Sequence, residues 1–402
     1  MTEISSTYCV LPWVHLYVGP DSRIGPCCVG KELGMYGKTT LEQVWNSDEQ
    51  KQIRKDMLSG VRNNLCSRCY DQEDMGFKSM RQNFHEVMKD VTYKVREITN
   101  SDGSLDKFEL RHLDFRFNNL CNFKCRTCNP LFSSSIAVEA IQNPDLNKLT
   151  PVKAFRENKG IIEEVEKHYP HVESIYFAGG EPMMQEEHWN VLKSFVESGN
   201  ANKVSLLYSS NVSSLTYKNQ YVLDYWKHFK GVNIQMSIDC EGTRAEYWRD
   251  GTDWETVYSN VKAIANSKHA DYMFHSVISW VNIYSYIDLI KQLLDEKLTH
   301  GFNCSIWCLT EVTEYCLQVL PDFKKEEIAK AIDEFIVYLN NYDAPGVSHL
   351  VKNMENIKSF MFAASLPITD ETFKKHLLLD KIRNKDFFEY FPEHENMREY
   401  IK

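Results

Sequence analysis

The residues of this chain most able to do chemistry are its cysteines, at positions 9, 27, 28, 66, 69, 121, 125, 128, 240, 304, 308 and 316. The densest group is Cys121-Asn-Phe-Lys-Cys125-Arg-Thr-Cys128, three thiols within one short loop. Three thiolates at this spacing can cover one face of a 4Fe–4S cubane, which normally takes four cysteines. One iron then lacks a protein ligand and is open to a small chelator. The plainer alternative is a zinc ion with a distant fourth ligand. A second group comprises Cys9, the pair Cys27-Cys28, and Cys66-Ser-Arg-Cys69. One cysteine, one of the pair and the C-x-x-C supply four thiolates, enough for a closed cubane or a zinc ion. Cys304 and Cys308 fall on one face of an expected strand. With Cys316 they read as small buried hydrophobes. His15 reads as a polar contact near the second group, not as a ligand.

Disulfides are the other use of cysteine, but the N-terminus has no basic region or clean apolar run of a secretory signal. The expected location is therefore cytoplasmic, where thiols stay reduced. No apolar run approaches the length of a membrane span. The net charge of −10, from 46 basic and 56 acidic residues, disfavours nucleic acid as a partner.

Elements of two kinds must hold these cysteines. Residues 1–90 read as a turn-rich module, punctuated at Gly19-Pro20-Asp21 and Gly25-Pro26. Thr40-Leu-Glu-Gln resembles a helix N-cap, Asp71–Val91 reads as a polar helix, and Thr92–Thr99 as a strand before a turn. Residues 91–109 form the boundary. From 110 to 320 strands and helices alternate. The strands expected are His112–Phe117, Ser174–Ala178, Val204–Ser209, Asn233–Asp239, Tyr272–Ser279 and Asn303–Leu309. Helices are expected at Glu187–Glu197, Asp253–Ala265 and Ile283–Glu296. This is an α/β pattern with a parallel sheet, an incomplete barrel of six β/α units. In such sheets the reactive groups sit at the carboxyl ends of the strands. Residues 321–402 read as helical, over Phe323–Asn340, Val347–Ala364 and Asp370–Phe391, with no catalytic constellation.

The C-x3-C-x2-C motif directly after the first strand resembles that of the radical SAM superfamily. The resemblance implies a cluster held by Cys121, Cys125 and Cys128, whose open iron chelates S-adenosylmethionine. An electron from the cluster would break the sulfonium–ribose bond and give a 5′-deoxyadenosyl radical that takes hydrogen from a substrate. Gly179-Gly180-Glu181-Pro182 follows the second strand and resembles the GGEP segment that holds the methionine amino group. Ser209 and Asn211 end the third strand, and Ser237 and Asp239 the fourth. Both resemble loops that reach the ribose and methionine. Arg249 resembles the arginine that pairs with the methionine carboxylate. Thr127 stands where an aromatic residue often lies beside the adenine, with Phe123 as substitute. Cys240 stands where the usual SIDG has glycine.

The order C-x-x-P-W, C-C, W-N-S, C-x-x-C from Cys9 to Cys69 resembles twitch and SPASM modules, which carry an auxiliary 4Fe–4S cluster. The resemblance implies Cys9, Cys27, Cys66 and Cys69 as ligands, with Cys28 the alternative to Cys27. Here the module precedes the barrel, as in the twitch-domain subgroup. Better-understood relatives modify peptide or protein residues, which favours such a substrate. No peptide-binding winged helix precedes the module, which weighs against a leader-guided maturase. The rivals are an oxidoreductase of a small molecule (a sugar, nucleoside or alcohol) and a redox-sensing iron–sulfur or zinc protein. A low-potential electron donor such as flavodoxin or ferredoxin is the implied partner.

Overall fold

A computed structural model describes residues 6–74, 79–152 and 160–401. The chain divides into two compact units. One comprises Met1–Asn119, Ala154–Leu207 and His228–Lys230; the other comprises Leu120–Lys153, Tyr208–Lys227 and Gly231–Lys402.

In the first unit the N-terminal cysteine segments are folded around two short helices. Thr40 and Gln43 form the reciprocal capping box that starts helix Leu41–Trp45. Ser47 then caps Asp48–Leu58 by accepting from Gln50 N. Between them the W-N-S segment is a structural knot. Trp45 is buried and donates from Nε1 to Lys107 O at 2.9 Å, while Asn46 Oδ1 accepts from Arg54 and from Leu105 N. Arg54 is fully buried and donates to Pro12 O, Trp45 O and Gly103 O. One guanidinium thus satisfies three carbonyls that would otherwise be costly to bury. Strand Tyr17–Val18 pairs antiparallel with Arg23–Gly25, and parallel with His112–Phe115 through Val18 and Phe115. The cysteine-rich segment therefore shares a sheet with the first strand of the α/β pattern. That strand pairs parallel with Ser174–Phe177 over four residues, and Ser205 N continues the ladder to Glu173 O at 2.9 Å.

The second unit carries the rest of the pattern. Gly231–Ser237 pairs parallel with Asp271–Ile278, which pairs parallel with Cys304–Cys308. Ser205–Ser210, whose first three residues belong to the first unit, and Gly231–Ser237 each alternate buried and less buried residues, with Leu206, Tyr208 and Ser210, then Val232, Ile234 and Met236, on the buried side. Each such large apolar side chain contributes about 1.5–3 kcal/mol when fully buried. Helices Trp254–Ala265 and Ile283–Asp295 follow the fourth and fifth strands, and Asp322–Asn340, Val347–Phe362 and Lys374–Arg383 close the chain.

All six expected strands are present, each within two residues of its expected ends. Thr92–Thr99 is a correction, since Thr92 ends the short helix Lys89–Thr92 and Val95–Ile98 forms another. The side chains alternate like a strand, but Val91 and Val95 are both buried at helical spacing. Thr92 and Thr99 also turn their hydroxyls back to Met88 O and Val95 O. The helix expected over Asp71–Val91 is seen as Ser67–Asp74 and Met80–Val87, and residues 75–78 lie outside the described residues. The last expected helix breaks at Asn384, a left-handed cap at φ 49°, before Phe387–Tyr390. Among the described residues no helix is long and apolar enough to cross a membrane.

Candidate active site and cluster ligands

The three-cysteine loop belongs to the second unit. Its residues Lys124–Cys125 pair antiparallel with Arg249–Asp250, placing Cys125 opposite Arg249. Serines fix the start of the loop: Ser134 Oγ accepts from Cys121 N at 3.2 Å, Ser135 Oγ donates to Cys121 O at 2.7 Å, and Ser133 Oγ to Phe123 O at 2.7 Å. Gly251, at φ 101°, is required here, because a Cβ would lie 2.6 Å from Asn122 O. Cys121, Cys125 and Cys128 are half-buried residues.

Four of the expected contact residues meet around this loop. Arg249 Nε donates to Asp239 Oδ2 at 2.7 Å, and its Nη1 to Cys125 Sγ at 3.6 Å. Val277 N donates to Asp239 Oδ1 at 2.7 Å, so both carboxylate oxygens already accept bonds inside the protein. Asn211 Nδ2 reaches Asn122 Oδ1 at 3.1 Å and Cys121 Sγ at 3.9 Å. Asn211, Ser237, Asp239 and Arg249 line one small pocket, with Phe123 and Cys240. Ser209 Oγ instead donates to Gln235 Oε1 at 3.3 Å.

Electrostatics at the site follow from burial. Burial alone would lower the Arg249 pKa, but Asp239 and the Cys125 sulfur more than offset it and leave the guanidinium firmly charged. Burial pushes the Cys128 thiol up to about 12, with Cys125 adding to it. The Cys125 thiol is raised by burial, against the pull of Arg249. Cys240 has no left-handed backbone; the positive φ of its loop, 55°, is at Gly242. The glycine of the usual segment is thus not needed at position 240. Phe123 is buried, at 2 % exposure.

In the first unit the Gly179–Pro182 segment leaves strand Ser174–Phe177. Gly179 adopts φ 107°, and a Cβ there would lie 3.1 Å from Arg116 Cβ. Glu181 is buried and accepts from Met183 N at 3.3 Å, while Gln185 Nε2 donates to Glu181 O. Gly180 and Pro182 complete the turn into the short helix Pro182–Met184.

The auxiliary cysteines also lie in the first unit. Burial raises the Cys27 thiol, and Cys28, Cys9 and Cys66 add to the shift. Burial likewise raises Cys9, with Cys66 and Cys69 adding and Arg81 opposing. Cys66 is pushed up to about 12 by burial and by Cys69. Cys9, Cys27, Cys66 and Cys69 are therefore electrostatic neighbours. Cys28 is their neighbour as well, acting on Cys27 and feeling Cys69, and it also turns to Met80 Sδ at 3.9 Å and feels Asp114 and Arg116. Buried thiols that resist ionising alone give up protons to a compensating metal centre. By donor chemistry, three and four thiols, the two sets suit iron–sulfur clusters. Among the described residues no three cysteine, histidine or carboxylate groups converge as a single metal ion requires. The cysteines of a cubane bind different irons and need not converge on one point.

His15 makes the polar contact expected of it, with Nδ1 3.0 Å from His112 O. Cys304 and Cys316 are buried, and Cys308 is partly so. Sequence reasoning missed Arg54, Asn122, Arg126 and Asp380. Arg126 carried a signal, being a charged residue inside the cysteine loop; the others depend on contacts distant in sequence.

Comparison with known proteins bears on these sites. The iron–sulfur cluster-binding domain SPASM matches residues 9–70. The radical SAM cyclopropyl synthase TigE of Paramaledivibacter caminithermalis is 28% identical over 179 residues, 42% of this chain and 36% of that protein. The matched stretch thus spans about a third of that relative. A structure of anSMEcpe with bound AdoMet aligns at 15% identity over 58% of this chain and 62% of that one, with a TM-score of 0.40. Streptococcus suis SuiB bound to precursor peptide SuiA aligns at 14% identity over 72% and 63%, with a TM-score of 0.38. Structural likeness at these scores carries no argument of its own. The chain thus carries a SPASM iron–sulfur cluster-binding domain over residues 9–70, and over 42% of its length it is similar to a radical SAM enzyme.

Proposed function

We propose that the chain is a radical SAM enzyme that cleaves S-adenosylmethionine reductively and takes hydrogen from a peptide or protein residue. When bound, the cluster and S-adenosylmethionine supply a low-potential electron and a carbon-centred radical able to attack an unactivated C–H bond. The protein's own part begins with Cys121, Cys125 and Cys128, the three thiolates that would hold that cluster. Arg249, fixed by Asp239, presents its remaining N–H groups to the methionine carboxylate. Asn211 and Ser237 face the ribose side from the cavity wall. Gly179, Gly180, Glu181 and Pro182 are assigned to the methionine ammonium by their resemblance to the GGEP segment alone. Cys9, Cys27 (or Cys28 in its place), Cys66 and Cys69 would hold the auxiliary cluster, for electron transfer or for fastening the loops.

The observation that carries this reading is Arg249 bonded at once to Asp239 and to the sulfur of Cys125. A guanidinium held between the cysteine loop and a strand end is where a chelating carboxylate needs a cation. The peptide substrate rests on the resemblance to SPASM-bearing maturases; a small molecule is the second reading. Electron paramagnetic resonance of the reduced protein tests the first part. Adding S-adenosylmethionine should shift the signal of one cluster and leave the other unchanged. A spectrum indifferent to S-adenosylmethionine would leave a redox-sensing iron–sulfur protein. Mass spectrometry of peptides encoded beside the gene, after anaerobic turnover, tests the substrate class.

A further inference from the structure

The C-terminal helices carry no catalytic motif, yet helix Lys374–Arg383 meets the cysteine loop through buried charge. Arg126, between Cys125 and Cys128, has a side chain with no exposure. Its Nη2 donates to Asp380 Oδ1, its Nη1 to His376 O at 3.4 Å, and its Nε to Tyr247 O at 3.4 Å. Its guanidinium lies 3.9 Å from the centre of the Tyr247 ring. Asp380 is itself held in place. Tyr247 donates its hydroxyl to Oδ1 at 2.7 Å, and Phe387 N donates to Oδ2 at 3.0 Å.

A second charged chain runs beside the first. Lys124, the residue before Cys125, pairs with Glu139 at 3.3 Å and Asp250 at 2.9 Å. Arg383 forks onto Glu139 at 3.0 and 2.7 Å, and Lys385 reaches Asp250 at 3.1 Å. The residues flanking Cys125 on both sides are thus tied to the segment 376–385. Removing one partner of a buried pair leaves an uncompensated charge, so such a network resists displacement of either end.

We propose that helix Lys374–Arg383 is a latch that sets the position of Cys125, with Asp380 as a positioning residue acting through Arg126. This rests on the assignment of Cys121, Cys125 and Cys128 to a cluster. It goes beyond that assignment by giving the C-terminal region a part in tuning the site.

The test uses the anaerobically reconstituted full chain. The probes are iron content, circular dichroism, and the resonance spectrum of the reduced protein with and without S-adenosylmethionine. Asp380→Asn keeps the size of the side chain and removes its charge. It should retain the auxiliary cluster and the circular dichroism of the wild type. It should also alter the S-adenosylmethionine-dependent signal and slow 5′-deoxyadenosine formation about tenfold, as for one lost charge-assisted bond. Asp380→Glu should recover part of the signal. Tyr247→Phe removes one hydrogen bond to Asp380, is unlike Asp380→Asn in burying no unpaired charge, and should shift the signal in the same direction by less. If Asp380→Asn fails to fold, Tyr247→Phe decides alone. A wild-type signal in Tyr247→Phe and, where it folds, in Asp380→Asn would overturn the latch. A wild-type protein whose only cluster ignores S-adenosylmethionine would instead overturn the underlying cluster assignment.

Discussion

The pair formed by Asp239 and Arg249 offers the sharpest energetic test. Its atoms are 2.7 Å apart, and the side chains are 1% and 14% exposed. Breaking a buried pair by removing one partner costs about 3–5 kcal/mol, because the other charge stays behind without compensation. Asp239→Asn keeps an acceptor for Val277 N and loses only the charge, so the low end, about 3 kcal/mol, applies. Arg249→Met leaves Asp239 with only its bond from Val277 N, and a similar or larger cost follows. The double variant buries no unpaired charge and keeps the Val277 bond. It should cost much less than the sum of the singles, with a coupling of about 2–3 kcal/mol. Two units need not unfold in one step, so amide hydrogen exchange across 231–278 is the suitable assay, on protein without iron. Costs that add to within about 0.5 kcal/mol would refute a direct buried pair.

Three further outcomes are expected. Cys27→Ala should lose the auxiliary cluster on reconstitution while Cys28→Ala keeps it, as iron analysis will show; the reverse would exchange their roles. Gly179→Ala should destabilise the first unit by about 1–3 kcal/mol, measured by exchange over 174–185, and weaken S-adenosylmethionine binding; a neutral effect would mean that the positive φ of that turn is not required. His188 is fully buried and its pKa is lowered by burial to about 3. Its unfolded counterpart binds a proton below about 6.5 while the folded ring stays neutral. The unfolded state then gains protons first, and stability falls as pH drops from about 6.5 toward 3, by about 1.4 kcal/mol per pH unit from this residue. His188→Phe should flatten that slope in acid unfolding; an unchanged slope would contradict it.

The fold was largely legible in the sequence because its strands are short apolar runs between helices with evident caps. Thr40 and Ser47 act as the caps their types suggest. Thr92–Thr99 reads as a strand because Thr92, Tyr93, Val95, Ile98 and Thr99 favour strands locally, while the burial of Val91 and Val95 at helical spacing decides the outcome. At the site, cysteine spacing marked the loops, since ligands close in sequence leave a local trace. The bond from Arg249 to Cys125 Sγ leaves no such trace, nor does the pairing of Arg126 with Asp380, which spans 254 residues. Tryptophan and asparagine in W-N-S were read as part of a cluster-module motif. Their visible work is holding Arg54 and the Leu105 backbone.

The most direct measurement is the yield of 5′-deoxyadenosine and methionine from the reconstituted protein, strongly reduced and given S-adenosylmethionine without substrate. Slow formation of both in equal amounts is expected, and none from the variant with Cys121, Cys125 and Cys128 all changed to Ala. No 5′-deoxyadenosine from protein shown to contain the reduced three-cysteine cluster would contradict the proposed chemistry.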